Sequence, residues 1–183
     1  LTSAKLQVGH PPGATLFQML GAFFSMFAFE PSQVGFMMNM MSAVASAFTI
    51  LFVFWTITLL LKKLVGSSDD NQPKSMAVLG SGLVGSLAFT FTDSFWFNAV
   101  ETEVYAMATL IMSVLFWLGL RWEQDMDTPR GNRWLILISF VIGLSFGVHF
   151  MGLLTIPAIG LIYYFKNYKT VTLKNIIIAN AVS

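Results

Sequence analysis

The chain has 183 residues, a net charge of +1, no cysteine and 56% apolar residues, with 18 Phe, 11 Met and a mean hydropathy of +0.72. Only 10% of the residues are charged, against roughly 25% in soluble domains, so a soluble fold is excluded, and the apolar content excludes disorder. The missing Cys excludes a disulfide framework and a thiolate metal site, and the near-neutral charge argues against nucleic acid, which leaves an all-α, polytopic transmembrane helix bundle.

The sequence starts at Leu1 and stops at Ser183, inside an apolar run that begins near Leu173. It reads as a piece of a longer protein, with 1–183 forming a single transmembrane domain. Residues 1–33 read as an outer loop followed by a surface-lying helix, because the apolar stretch 15–29 is short and interrupted by Gly21. A membrane-spanning helix needs about 20 apolar residues. The stretches 34–61, 76–92, 104–121 and 134–150 meet that requirement. The stretch 153–165 is short. Joined to 134–150 it would make a helix of about 48 Å, against a hydrocarbon core of about 30 Å. Gly152 and Pro157 place a reversal at 149–155 instead. A further span is expected to start at 173.

This arrangement alternates cleanly in charge. Lys62, Lys63, Lys74, Arg121, Arg130, Arg133, Lys166, Lys169 and Lys174 fall on one side, nine of the ten Lys and Arg residues. The positive-inside rule makes that side cytoplasmic, and only Lys5 lies opposite. The connectors 67–74 and 123–133 read as solvated loops.

The outer face gathers Glu30, Asp93, Glu101, Glu103, His10, His149 and Lys5. Phe95, Trp96 and Phe97 interleave with the acids and fit an interfacial aromatic belt. Glu101 and Glu103 sit where a helix enters lipid. There acids are costly unless paired or wet, although a helix N-terminus also favours them. Either glutamate is a candidate carboxylate at the rim of a cavity, acting as a general base or holding a ligand hydroxyl. His10-Pro11-Pro12-Gly13 forms a rigid loop entry. Lys5 and His10 are the outer-face groups outside the spans that can offer cationic donors to a phosphate. His149, at the outer end of its span, is a functional candidate or an interhelical hydrogen-bonding group. Gly143 and Gly147 form a GxxxG pattern that permits close helix packing, and Gly80, Gly82 and Gly85 read the same way. The run Met37, Met38, Met40 and Met41 reads as packing, with Asn39 a candidate for a polar cavity. No metal motif, Walker loop, dinucleotide fingerprint or Gly-x-Ser-x-Gly elbow is present.

Three separated runs resemble one family. They are Lys5-Leu6-Gln7-Val8-Gly9-His10-Pro11-Pro12-Gly13-Ala14, then Phe95-Trp96-Phe97-Asn98-Ala99-Val100-Glu101-Thr102-Glu103-Val104-Tyr105-Ala106-Met107, then Gly143-Leu144-Ser145-Phe146-Gly147-Val148-His149 with Leu153-Leu154-Thr155-Ile156-Pro157-Ala158. Together they resemble a bacterial membrane family, common in Bacteroidetes and long labelled a domain of unknown function. That family is similar to the protein O-mannosyltransferases of the GT-C fold.

The resemblance implies a chain that is the N-terminal part of a GT-C-type membrane glycosyltransferase in the bacterial inner membrane, with its active face periplasmic. The implied donor is a polyprenyl-phosphate sugar. The implied acceptor is a protein Ser or Thr hydroxyl, or a glycan. No cofactor is implied, and no metal is assigned. Asp93, Glu101 and Glu103 are the candidate catalytic acids of this piece. Lys5, His10, Pro11, Tyr105 and His149 are the candidate substrate-binding residues. The resemblance also implies a principal acid upstream of the His-Pro-Pro element, so the piece alone is expected to be inactive. Two other readings compete: a transporter or lipid-linked substrate flippase, whose polar groups would lie at the midplane, and a structural membrane subunit, whose outer-face acids could be replaced without effect.

Overall fold

The computed structural model describes residues 2–7, 14–66, 72–168 and 172–182, with the backbone alone described at 72 and 179–182. All its regular elements there are helical. They are α1 (Thr15–Ser25), α2 (Val34–Val65), α3 (Gln72–Thr90), α4 (Asp93–Val100), α5 (Val104–Asp125), α6 (Gly131–Ser145), α7 (Thr155–Asn167) and α8 (Leu173–Val182), with 3₁₀ turns at Pro31–Gln33 and Phe150–Leu154.

Proline and glycine set the limits of α2. No Pro occurs between Pro31 and Pro73, so nothing breaks the backbone ladder. Pro31 opens the preceding turn. Gly66 ends the helix at φ 79°, and Lys62 and Lys63 occupy its last turn, where the helix dipole favours cations. The unit 31–65 and α5 are each long and apolar enough to cross a membrane. The bent pair α3 and α4, angled by 69°, makes a third if it counts as one span. The α6 helix has 15 residues, about 22 Å of rise, and so is shorter than a bilayer core.

Contacts at both ends set the helix directions. Thr102, just before α5, donates its hydroxyl to Asn39 Oδ1 at the start of α2. Lys63 and Glu123 pair at the far ends of the same two helices. The helices α2 and α5 therefore run side by side in the same direction. Trp134, at the start of α6, meets Trp117 edge-on at 6.3 Å. Tyr163, near the end of α7, stacks on Trp122 at 6.0 Å. So α6 runs back along α5 and α7 returns.

Each end has its own buried core. One core groups Phe17, Met38, Met41, Met107, Ala108 and Val148. The other groups Leu115, Leu118, Trp122, Ile138 and Ile159.

The lysine-bearing end is latched by polar contacts. Trp134 Nε1 donates to Asp125 Oδ2 at 2.8 Å, the Arg121 guanidinium lies 5.7 Å from the Trp134 ring centre, and Lys166 pairs with Asp127 at 3.5 Å. Glu123 and Asp125 thus belong to the end of α5 and hold it to its neighbours; they are not loop solvation. Both side chains of the Lys63–Glu123 pair keep a fair part of their surface exposed, and pairs of that kind contribute about 0–1 kcal/mol. Glu123→Gln is expected to change unfolding stability in detergent by less than about 1 kcal/mol.

Several sequence readings change. The 134–150 stretch is helical only to Ser145, and the GxxxG face does not form. Gly143 has open space where a side chain would point, while Gly147 lies beyond the helix, where an added Cβ would come within 2.8 Å of Leu16 Cβ. The Gly147 carbonyl accepts from the N–H groups of Leu16 (2.7 Å) and Phe17 (3.2 Å). It satisfies donors that the start of α1 would otherwise leave unpaired. Of the three glycines on α3, Gly82 and Gly85 pack against α2, whereas Gly80 faces open space. The 67–74 connector is already helical from Gln72, and residues 67–71 lie outside the described residues.

Candidate functional site at the junction of α4 and α5

The site is built by two chain breaks. Thr92 turns α3 into α4 with extended backbone, and its hydroxyl donates to the Phe89 carbonyl at 2.8 Å. Phe95 anchors the short α4 helix by packing 4.7 Å from Phe89. It is buried, while Trp96 and Phe97 are exposed. The three aromatics therefore do not form one outward belt.

After Val100 the chain forms a tight link. The Glu103 N–H donates to the Glu101 carbonyl at 3.1 Å, closing a three-residue turn centred on Thr102. Glu101 is half-buried and Glu103 exposed. Glu103 holds the N-cap position of α5 but makes no capping bond. Neither carboxylate has a hydrogen-bond or ion-pair partner among the described residues, whereas the Thr102 hydroxyl between them is engaged by Asn39.

Asp93 stands apart. It is exposed in the first turn of α4, where the dipole favours an acid. The eight residues of α4, about 12 Å of rise, separate it from Glu101. It lines a cleft of about 430 Å³ with Phe91, Trp96, Phe97 and Val100.

Tyr105 and His149 are brought together, with ring centres 5.5 Å apart. His149 has extended backbone, and its Nδ1 accepts from the Met151 N–H at 3.2 Å, capping the 3₁₀ turn. An accepting Nδ1 places the ring proton of a neutral imidazole on Nε2, which leaves Nε2–H as a donor.

Lys5 is exposed in a turn near the N-terminus. That turn shares a cavity of about 330 Å³ with α1, the start of α2 and Thr102; Ser3, Gln18 and Met38 line it. Ser3 Oγ donates to Gln18 Oε1 inside it. His10 and Pro11 lie outside the described residues. Asn39, Thr102, Ser3 and Gln18 add polar groups beside the acids. Of these only Asn39 stood out in the sequence, as an amide inside a methionine run. Among the described residues no three His, Asp or Glu side chains converge as a metal site. A cavity of about 600 Å³ lies at the opposite, lysine-bearing end, lined by Trp122, Ile138, Ile159, Tyr163, Tyr168 and Ile178.

Helices long and apolar enough to cross a bilayer, in a chain with so few charges, define an integral membrane protein. The family described as "Protein O-mannosyl-transferase TMEM260 N-terminal domain" matches residues 1–172, and the chain belongs to it. A similar relative is the protein O-mannosyl-transferase tmem260 of Dictyostelium discoideum, 25% identical over 162 residues, which cover 82% of this chain and 18% of the relative. The protein O-mannosyl-transferase TMEM260 of Mus musculus is 24% identical over 141 residues, covering 77% of this chain and 18% of the relative. The chain thus spans less than a fifth of either relative. Both come from eukaryotes, so they support the O-mannosyltransferase relation and do not bear on a bacterial source. No solved structure matches the chain.

Proposed function

We propose that the intact protein is a membrane glycosyltransferase of the GT-C type. It moves a sugar, mannose-like, from a polyprenyl-phosphate donor to a protein Ser or Thr hydroxyl or to a glycan. The family match over residues 1–172 supports the reaction class. The observation that carries the site is Glu101 and Glu103 at the helix junction, unpaired among the described residues, beside the Tyr105–His149 contact.

The chemistry assigns roles to these groups. The acceptor oxygen attacks the anomeric carbon, the bond from that carbon to the phosphate oxygen breaks, and the lipid phosphate leaves with the electron pair. The acceptor proton goes to a carboxylate base. Glu101, half-buried and without a hydrogen-bond or ion-pair partner among the described residues, is the first choice in this chain, with Glu103 beside it. Lys5 and His10 supply positive charge and donors to the leaving phosphate. His149 lines the donor pocket, with Nε2–H as its donor, and Pro11 is the remaining substrate-binding candidate. The reaction takes place on the non-cytoplasmic side, which in a bacterial cell is the periplasmic face of the inner membrane. The cluster of nine Lys and Arg at the other end of the sequence pattern supports that orientation. The α1 helix, at 11 residues too short to span, then lies along the outer surface.

The test uses membranes carrying the intact protein, a radiolabelled polyprenyl-phosphate mannose and endogenous protein acceptors. Label transfer that requires the protein is expected; its absence with several lipid-linked sugars contradicts the proposal. His149 is tested in the same assay by separating its two roles. His149→Ala is expected to lose about 1 kcal/mol with the cap and to lose transfer. His149→Asn keeps an acceptor for the Met151 N–H and is expected to keep the stability while losing transfer, as measured by unfolding and labelling side by side.

A further inference from the structure

The cleft beside Asp93 takes no part in the proposed reaction. Trp96 and Phe97 follow Asp93 by three and four residues, and Val100 follows by seven, so the four share one face of α4. Phe91, just before the helix, completes the lining of this cleft of about 430 Å³. All five side chains are exposed, while Phe95, on another side of the helix, is buried. The helix therefore packs with one side and leaves this one open. It is also turned 69° from α3. With α3 crossing the bilayer, that turn lays α4 toward the membrane plane, at the level of the lipid headgroups, where Trp is enriched.

The lining carries one sign of charge. Asp93 is its one ionisable side chain, and neither ion pair among the described residues involves it. The faces of aromatic rings are the negative side of a quadrupole. Phe91 and Trp96 have ring centres 6.1 Å apart and planes 16° apart, so their faces turn the same way. A carboxylate and ring faces together attract a cation and repel an anion. A neutral polyol needs donors as well as acceptors, and Trp96 Nε1 is the one hydrogen-bond donor among these side chains. An apolar chain would leave the carboxylate without a counter-charge. An organic ammonium ion satisfies the whole lining, because its charge meets Asp93 and the rings and its carbon groups meet Val100.

We propose that this face of α4 holds the ammonium headgroup of a bilayer phospholipid, with Asp93 as its counter-ion and the rings of Phe91, Trp96 and Phe97 against its positive charge. The bilayer is the source because the bend keeps the cleft at the level of the headgroups.

Phosphatidylethanolamine carries a primary amine. A carbodiimide joins such an amine to a carboxylate in contact with it by an amide bond and takes up the water lost as a urea. The intact protein is placed in phosphatidylglycerol nanodiscs with a minor share of phosphatidylethanolamine and treated with a carbodiimide, and the adducts are located by peptide fragmentation. Asp93 is expected to carry the lipid adduct, and more often than Glu103, an exposed carboxylate outside the cleft. Trp96→Leu keeps an apolar side chain and removes the ring. It is expected to lower the Asp93 adduct about two- to fivefold, the range of an exposed cation–π contact. Phe97→Leu gives the same reading if Trp96→Leu does not fold. Exchanging phosphatidylglycerol for phosphatidylcholine, whose quaternary ammonium competes but cannot couple, is expected to suppress the adduct.

Equal coupling at Asp93 and Glu103 marks random encounter with headgroups and overturns the proposal. So does an Asp93 adduct that the ring variants or phosphatidylcholine leave unchanged. Suppression by free choline and not by phosphatidylcholine assigns the cleft to a soluble amine, and suppression by mannose marks a carbohydrate platform; either result overturns the lipid site. None of these readouts needs sugar transfer, so a failed transfer assay and a failed headgroup site are told apart.

Discussion

Glu101→Gln in the intact protein is expected to lower sugar transfer by about 100-fold or more, the range a general base supplies. Folding should be untouched, because the Glu101 carboxylate holds no hydrogen bond or ion pair among the described residues and the neutral amide replaces nothing. Glu103→Gln is expected to have a smaller effect. Its side chain is exposed, where its charge is more strongly screened. Asp93→Asn is expected to remain close to the parent, since α4 carries that acid away from the pair. Transfer assays on the three variants, with protein levels and unfolding midpoints matched, give the order directly. Full transfer by Glu101→Gln and Glu103→Gln alike would remove the acidic pair from the chemistry.

The second large effect is expected at Gly152, which is buried in the turn that positions His149. A Cβ there would come within 2.5 Å of both Cβ and Oγ of Ser145. The turn cannot swing away, because Thr155, itself fully buried, donates its hydroxyl to the Gly152 carbonyl at 2.6 Å. Gly152→Val is therefore expected to destabilise the protein by about 3 kcal/mol, the upper part of the range for overpacked cores, and to break the Tyr105–His149 contact. The clash is with a single side chain, so Ser145→Gly should relieve part of it. The double variant is expected to be more stable than the two single effects added together, a coupling that unfolding measurements on the four proteins resolve. Strict additivity would mean that Ser145 is not what crowds the turn.

The class of the fold was legible in the sequence because long apolar runs without Pro have few solutions in lipid. The α2 and α5 helices follow from run length alone. The bend between α3 and α4 was not legible. Asp93 to Val100 reads as a polar-aromatic stretch, and eight residues are too few for a helical period to stand out. Burial of Phe95 against Phe89 makes it a helix, which is a tertiary effect. The GxxxG reading failed for a related reason. Gly147 has the right spacing from Gly143, but the helix stops at Ser145, and the glycine serves the start of α1 instead.

At the site, Glu101, Glu103, Tyr105 and His149 each stood out singly, as ionisable or aromatic groups at the ends of apolar runs. Their grouping did not. The Tyr105–His149 contact depends on α6 running back along α5, and the bond from Thr102 to Asn39 depends on α2 and α5 lying parallel. Such pairings are long-range, and local pattern carries no record of them.

The most direct measurement maps where the lipid-linked sugar sits. A polyprenyl-phosphate sugar with a photoactivatable group on its sugar would be crosslinked to the intact protein in membranes, and the labelled peptides sequenced. Label is expected within 93–109 and around His149, and it should be displaced by unmodified donor. Displaceable label confined to the apolar cavity between Trp122 and Ile178, at the lysine-bearing end, would contradict a sugar-handling site at the junction of α4 and α5.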